Sequence, residues 1–281
     1  MTGASTTTGE YVMGRTPAEH ERLRRQARVW QDATTTLLDR VAPAPGARCL
    51  DVGCGPGEVM RLMAERVGPA GRVVGVDTDA DLGRAAVDAL RAAGHPQCSF
   101  VEADATRTEA IPDRGFDLVF GRLILLHVPD PVAVLRRMWQ WTAPGGHLVI
   151  QDYDLRSADA YPPLDVVEEW KRVFLGTFTA AGRDIRLGHR LPSLFAEAGI
   201  GPPDGTEVVG RLERLEHAGG MLAATYRSVS PTALNLGIIT EEQRDAWLAD
   251  MADATVNCAD HSVLWPTLIG VHKQRSTDRD A

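Results

Sequence analysis

The chain reads as an α/β protein built on a doubly wound parallel sheet. Short apolar runs ending in glycine or a carboxylate, helix-period stretches between them, and their regular alternation over residues 48–151 all point there. Strands alternating with helices at this spacing call for parallel pairing with right-handed crossovers. A length of 281 residues suits one large α/β domain, or a core with a cap, around a well-buried interior.

Taken in order, Thr16-Pro17-Ala18-Glu19 reads as a capping box with proline at the first helical position. The helix that follows places Leu23, Ala27 and Trp30 on one face, and a second helix over 33–41 ends before Pro43 and Pro45. The alternation then runs as strand 48–52, helix 58–67, strand 73–77, helix 81–93 stopped by Gly94, strand 99–102 and strand 116–120. Asp130-Pro131 caps a helix with Val132, Leu135 and Trp139 inward, and Pro144-Gly145-Gly146 turns the chain into strand 147–151. Beyond Tyr153 the pattern is helical, marked first by Val166, Trp170 and Val173, then by Leu191, Leu194 and Ala198 closing on Gly199. A strand-like stretch over 206–215 follows, and Gly219-Gly220 opens a mixed segment to Gly237. Thr240-Glu241-Glu242-Gln243 is a second capping box, and 263–271 is apolar enough for the final strand. Residues 1–9 and the polar tail from Gln274 are expected to be disordered.

The chemistry sits in two segments. Leu50-Asp51-Val52-Gly53-Cys54-Gly55-Pro56-Gly57-Glu58 runs from a strand through a glycine turn into a helix, and Val73-Val74-Gly75-Val76-Asp77 ends on a carboxylate. Glycine lets backbone approach a ligand, and an acid at the next strand end is placed for ribose hydroxyls. A dinucleotide fingerprint reads G-x-G-x-x-G, whereas the spacing here is Gly53-x-Gly55-x-Gly57. Glu58, in the first helical turn, would repel a pyrophosphate there. A sulfonium with a zwitterionic methionine tail tolerates these carboxylates, which turns the reading from a nicotinamide cofactor to S-adenosyl-L-methionine.

The motifs then line up. Residues 50–58 and 73–79, Phe100-Val101-Glu102-Ala103-Asp104-Ala105, Phe116-Asp117-Leu118-Val119-Phe120-Gly121-Arg122 and Ala143-Pro144-Gly145-Gly146 occur in family order and spacing. The chain thereby resembles class I S-adenosylmethionine-dependent methyltransferases, in the small-molecule branch with the ubiquinone/menaquinone-type enzymes. The segment from Tyr11 to Trp30 is similar to an N-terminal helix of many bacterial members, and after Asp154 the likeness fades. The resemblance implies a seven-stranded Rossmann-like sheet with an antiparallel last strand, a helical cap, and S-adenosylhomocysteine as product. It implies a core over 43–154, an N-terminal cap over 10–42, a substrate-cap insertion over 155–236 and a C-terminal helix and strand over 237–273. Asp77 with Thr78 would hold the ribose, and Asp104 with the Ala105 amide the adenine edge. Gly53 and Gly55 would admit the methionine portion, with Asp51, Gly121 and Arg122 near its ammonium group. Tyr11 and Gln26 would close over the cofactor.

A sulfonium methyl is already electrophilic, so in-line proximity supplies most of the rate, and a base is needed only where the acceptor must lose a proton. The base candidates are His127 and Asp152, with Tyr153 and Asp154 beside the latter; Tyr153, His189 and Tyr226 are candidates to line the substrate pocket. The function expected is methylation of a small, partly apolar metabolite, at oxygen, in a secondary-metabolism setting. A cofactor-binding enzyme of the same fold catalysing cyclisation, decarboxylation or hydroxylation is the alternative. Net charge of −8 with no basic stripe argues against nucleic acid. Cys49, Cys54, Cys98 and Cys258 lack disulfide or metal spacing, and no stretch reaches membrane-spanning length. A cytoplasmic, metal-free enzyme is expected, with homodimerisation left open.

Overall fold

The computed structural model describes residues 12–13, 16–107, 111 and 114–277. Two helices lead, α1 (Pro17–Val29) and α2 (Gln31–Val41). Then come β1 (Arg48–Val52), α3 (Glu58–Val67), β2 (Arg72–Asp77), α4 (Ala80–Ala92), β3 (Cys98–Glu102), β4 (Phe116–Arg122), α5 (Pro131–Trp141) and β5 (Thr142–Asp154). The remainder is β6 (Asp159–Tyr161), α6 (Asp165–Ala180), α7 (Leu187–Glu197), β7 (Gly205–Val209) and β8 (Leu212–Arg214), followed by α8 (Leu215–Asn235), α9 (Glu241–Asn257), β9 (Ser262–Leu264) and β10 (Thr267–Gln274).

Seven strands form the main sheet in the order β3-β2-β1-β4-β5-β10-β7. β1 pairs in parallel with β2 and β4, while β10 runs antiparallel between β5 and β7, as the resemblance implied. The buried runs explain the strands: consecutive residues of β1 and β2 are buried, so both faces are covered, as their largely apolar sequence suits. Local chemistry sets several helix starts. Asp79 caps α4 through the Leu82 amide and Asp130 caps α5 through the Ala133 amide. Thr240 and Gln243 form the complete reciprocal box on α9. On α2, Leu37 and Leu38 are fully buried, which contributes about 1.5–3 kcal/mol each.

The structure corrects several expectations. Thr16 caps α1, but the Glu19 carboxylate turns to Arg22, so the first box is only half made. α5 buries Val134, Leu135, Met138 and Trp141, leaving Val132 and Trp139 half-covered. Pro144-Gly145-Gly146 is a register irregularity within β5 rather than a turn before it. The tail is held as far as it is described: Arg275 donates to the Trp139 and Thr142 carbonyls and lies over the Trp139 ring, and the Gln274 amide donates to Asp204.

The cap differs most. The stretch 206–215 divides into β7 of the main sheet and β8 of a separate three-stranded sheet, β6-β9-β8. The stretch 263–271 likewise divides at Trp265-Pro266, where proline cannot donate to a ladder, and the Trp265 amide donates to Arg211 at the matching corner. The segment after Gly219-Gly220 is not mixed but the long helix α8. A Cβ on Gly219 would stand 2.2 Å from the Thr255 hydroxyl, so glycine there lets α8 and α9 approach closely. α1 packs on this cap, and Thr232 of α8 donates to the carbonyl of Val12, which precedes α1.

Candidate functional site

The carboxyl ends of β1, β2, β4 and β5 open into a cavity of about 520 Å³, roofed by α1, α6 and the Trp265-Pro266 corner. Ligand crevices of open α/β sheets lie at this edge. Gly53, Gly55, Asp77, Thr78, Asp104 and Ala105 all reach it, so the structure brings the two sequence motifs and the adenine candidates together.

Three glycines shape the loop after β1, each with positive φ: Gly53 at 73°, Gly55 at 46° and Gly57 at 81°. Their reasons differ. A Cβ on Gly53 would meet Ile124 at 2.6 Å, and one on Gly57 would meet Ala86 at 3.0 Å, whereas Gly55 has no atom within 4 Å of that position. Gly55 therefore leaves ligand space, while its neighbours serve packing. Its amide donates to Asp77 Oδ2 at 2.9 Å, and the Asp79 amide donates to Oδ1 at the same distance. Asp104 Oδ1 accepts from the Thr106 amide and hydroxyl, which fixes the carboxylate and leaves Oδ2 as its open acceptor among the described residues.

Behind the loop and off the cavity wall, Asp51 is buried, with Oδ2 lacking a hydrogen-bond partner among the described residues. Burial pushes its pKa up to about 7, opposed by the nearby Arg122 guanidinium. Arg122 lies on the cavity wall and donates to Thr34, whose hydroxyl donates to Gln151. Gly121 stays off the wall because Met138 and Ile124 close over it. An open space at Gly55, a fixed acid at Asp77 and an orphaned buried carboxylate oxygen at Asp51 fit an adenosyl ligand with an ammonium-bearing tail.

The N-terminal helix contributes a network that the sequence reading missed. Arg22, 4% exposed, donates from Nε and Nη2 to the two Glu19 oxygens, both at 2.7 Å, and from Nη1 to Gln26 Oε1 at 2.6 Å. Gln26 passes the chain on, its Nε2 donating to the Tyr153 hydroxyl at 2.9 Å, and Trp30 Nε1 donates to the same oxygen. The arginine-rich run of α1 reads as a solvated face, which holds for Arg24, Arg25 and Arg28 but not for Arg22. The signal was present, since Glu19 and Arg22 stand one turn apart beside the apolar face. His20 bridges to Asp79 at 2.8 Å on the cavity wall. Tyr11 lies outside the described residues.

The two base candidates separate. His127 lines the cavity in the turn after β4, packed on Phe178, and its visible surface belongs to the cavity wall. Burial, reinforced by Arg22 and Arg183, lowers its pKa to about 3, so it stays neutral at physiological pH. Asp152 does not reach the cavity. Its oxygens accept from the Tyr153 and Leu126 amides, which clamps the turn carrying His127, and burial raises its pKa to about 7. Of the substrate candidates, Tyr153 lines the cavity, whereas His189 is exposed on α7. Tyr226 is core, fully buried and stacked on Trp247 at 3.8 Å between centroids. The side of the cavity away from the glycine loop is walled by Trp170, Phe174, Phe178 and Trp265.

Among the described residues no group of histidine, cysteine or carboxylate side chains could hold a metal ion, and no helix is long and apolar enough to cross a membrane. A family model described as a methyltransferase domain matches residues 43–199, more than half of the chain. An uncharacterised 37.1 kDa protein of transposon TN4556 from Streptomyces fradiae is 29% identical over 201 residues, which cover 70% of this chain and 56% of that protein. Phosphoethanolamine N-methyltransferase 3 from Arabidopsis thaliana is 37% identical over 124 residues, 43% of this chain and 24% of its own length. The chain thus spans about half or less of these relatives. In fold it is similar to the [4+2]-cyclase SpnF, with a TM-score of 0.52, 19% identity, and coverage of 88% of this chain and 82% of that one. With its glycine loop, acidic strand end and matched domain in register, the chain belongs to the class I S-adenosylmethionine-dependent methyltransferase family.

Proposed function

We propose that the protein methylates a small molecule, with oxygen as the acceptor atom. The observation that carries this is one continuous cavity joining the glycine loop and Asp77 to the aromatic wall of α6, so that cofactor and acceptor share a single chamber. The finer likeness to ubiquinone/menaquinone-type enzymes rests on motifs at the cofactor end, and the acceptor end is built from residues outside them.

Asp77 would accept from the ribose hydroxyls, Asp104 Oδ2 from the adenine amine, and Asp51 would face the methionine ammonium. S-adenosylmethionine bound there would supply an electrophilic methyl group, which the acceptor lone pair would take as sulfur keeps the C–S electron pair and the acceptor proton passes to water at the cavity mouth. The residues here bind, orient and exclude solvent. Holding the reactants in line is worth roughly 7–11 kcal/mol. Neutral His127 can hydrogen-bond an acceptor but is a weak base. Tyr153, with two N–H groups donating to its oxygen, keeps its own proton available for the acceptor oxygen.

The test is calorimetry with S-adenosylhomocysteine, followed by measurement of its release from S-adenosylmethionine with a panel of phenols. Binding with acceptor-dependent release supports methyl transfer. Binding with conversion of a ligand but no release would favour the non-methylating alternative, a reaction type that the SpnF cyclase shows on this fold. No binding would refute the cofactor assignment.

A further inference from the structure

We infer that the acceptor half of the cavity takes a flat, uncharged, hydroxyl-bearing ring and discriminates against anionic and cationic acceptors; this rests on the methyl-transfer reading. Trp170, Phe174 and Phe178 stand four residues apart on α6 and so share one face. Trp170 stacks on Phe174 with centroids 4.8 Å apart and planes at 14°, and Phe174 stacks on Phe178 at 4.9 Å and 30°. Both faces of the Phe174 ring are therefore covered, and it meets the cavity through its edge. A ring edge carries the positive end of the aromatic quadrupole, which attracts the π face of a ligand and offers no seat to a cation.

The indole N–H groups are consumed elsewhere. Trp170 Nε1 donates to the Thr225 hydroxyl at 3.0 Å, which itself donates to the Leu222 carbonyl, and Trp265 Nε1 donates to Glu213 at 2.8 Å. Both indoles thus show the cavity carbon surface. Anions fare no better. The Arg22 guanidinium is committed to Glu19 and Gln26, and Arg122 is committed to Thr34 beside Asp51. On the same wall Glu19 is held by Arg22, Asp79 by His20, Asp77 by the Gly55 and Asp79 amides and Asp104 by Thr106, so these carboxylates repel an anion while their partners lie away from the aromatic slot. A phosphate or carboxylate acceptor would have to dismantle a buried ion pair to find a partner. The Tyr153 hydroxyl, with the His127 ring on the same wall, gives the slot its polar end, suited to a ligand oxygen.

The experiment measures dissociation constants by calorimetry for β-naphthol, naphthylmethylamine and phosphoethanolamine, with and without saturating S-adenosylhomocysteine. β-Naphthol should bind at least roughly tenfold more tightly than either charged probe. Phe174→Ala should weaken naphthol binding by roughly tenfold, and Phe174→Leu, which keeps bulk but loses the ring edge, by a smaller factor, with affinity for S-adenosylhomocysteine unchanged in both. Equal or tighter binding of a charged probe, or unchanged naphthol affinity in the folded variants, overturns the inference. Failure of S-adenosylhomocysteine to bind would instead strike the methyl-transfer reading, and the naphthol ranking without it would still decide the slot.

Discussion

The Gly55 amide donates to Asp77 Oδ2 at 2.9 Å, so the two cofactor motifs are tied by one hydrogen bond before any ligand arrives. Asp77 therefore holds the glycine loop as well as facing the cavity. Asp77→Ala should weaken S-adenosylhomocysteine binding by more than tenfold, since a hydrogen bond to a charged group is worth about 1.5–3 kcal/mol. Calorimetry on a variant with a normal melting curve checks this, and unchanged affinity would remove Asp77 from the site.

Gly53 and Gly55 should respond differently to the same substitution. Gly55→Ala places a methyl group in open cavity at a left-handed φ of 46°, so it should cost about 1–2 kcal/mol of stability and lower cofactor affinity at least tenfold. Gly53→Ala drives its Cβ into Ile124, so the damage should fall mainly on stability. Thermal melts paired with calorimetry separate the two. Equal behaviour would mean that the loop is a structural turn throughout.

The cofactor end was legible because its chemistry is local. A tight turn needs glycine and a strand end needs its acid, and both lie within a few residues. Boundaries of β1 and α3 follow directly from that punctuation. The cap was less legible because its elements are defined by partners distant in sequence. α8 carries Gly219 and Gly220, which lower helix propensity, yet packing against Thr255 on α9 makes the smaller residue necessary. Tyr226 and Phe174 are alike as apolar aromatics on helices, and only tertiary packing sends one to Trp247 and the other to the cavity.

His127 and Asp152 give opposite pH signatures. The folded His127 pKa of about 3 lies below its ordinary value, so the unfolded chain takes up a proton that the native state refuses. Its contribution to stability is lost as pH falls below about 6.5, at about 1.4 kcal/mol per pH unit. The Asp152 pKa, near 7 in the folded state, lies above its ordinary value, so its contribution is lost as pH rises from acid toward about 7. Urea melts should show that His127→Asn gains relative to wild type on acidification, while Asp152→Asn gains on alkalinisation. The absence of either trend would mean that the side chain is hydrated in the folded state.

Tyr153→Phe should reduce turnover more than cofactor affinity. It strands the Trp30 and Gln26 N–H groups, at a cost of about 1–3 kcal/mol, and removes the hydroxyl proposed to meet the acceptor. A kcat loss with near-normal S-adenosylhomocysteine binding is the expected split. Full activity would show that the hydroxyl only braces α1.

Closure of α1 over the cavity depends on the buried pair of Glu19 and Arg22, whose side chains are 2% and 4% exposed. Removing one partner leaves a charge with no water and no counter-ion, which destabilises by about 3–5 kcal/mol. Arg22→Met should therefore detach the helix from the cavity, lower cofactor affinity and abolish turnover, while the sheet stays folded. Limited proteolysis would then cut within 16–30, a stretch protected in the wild type. The double variant Glu19→Gln with Arg22→Met buries no charge, so it should recover much of the lost stability and protection. It should not recover full turnover, because the Arg22–Gln26–Tyr153 chain is still broken. A double variant no better than the single one would show that the helix is held by its apolar face alone, with the ion pair a passenger.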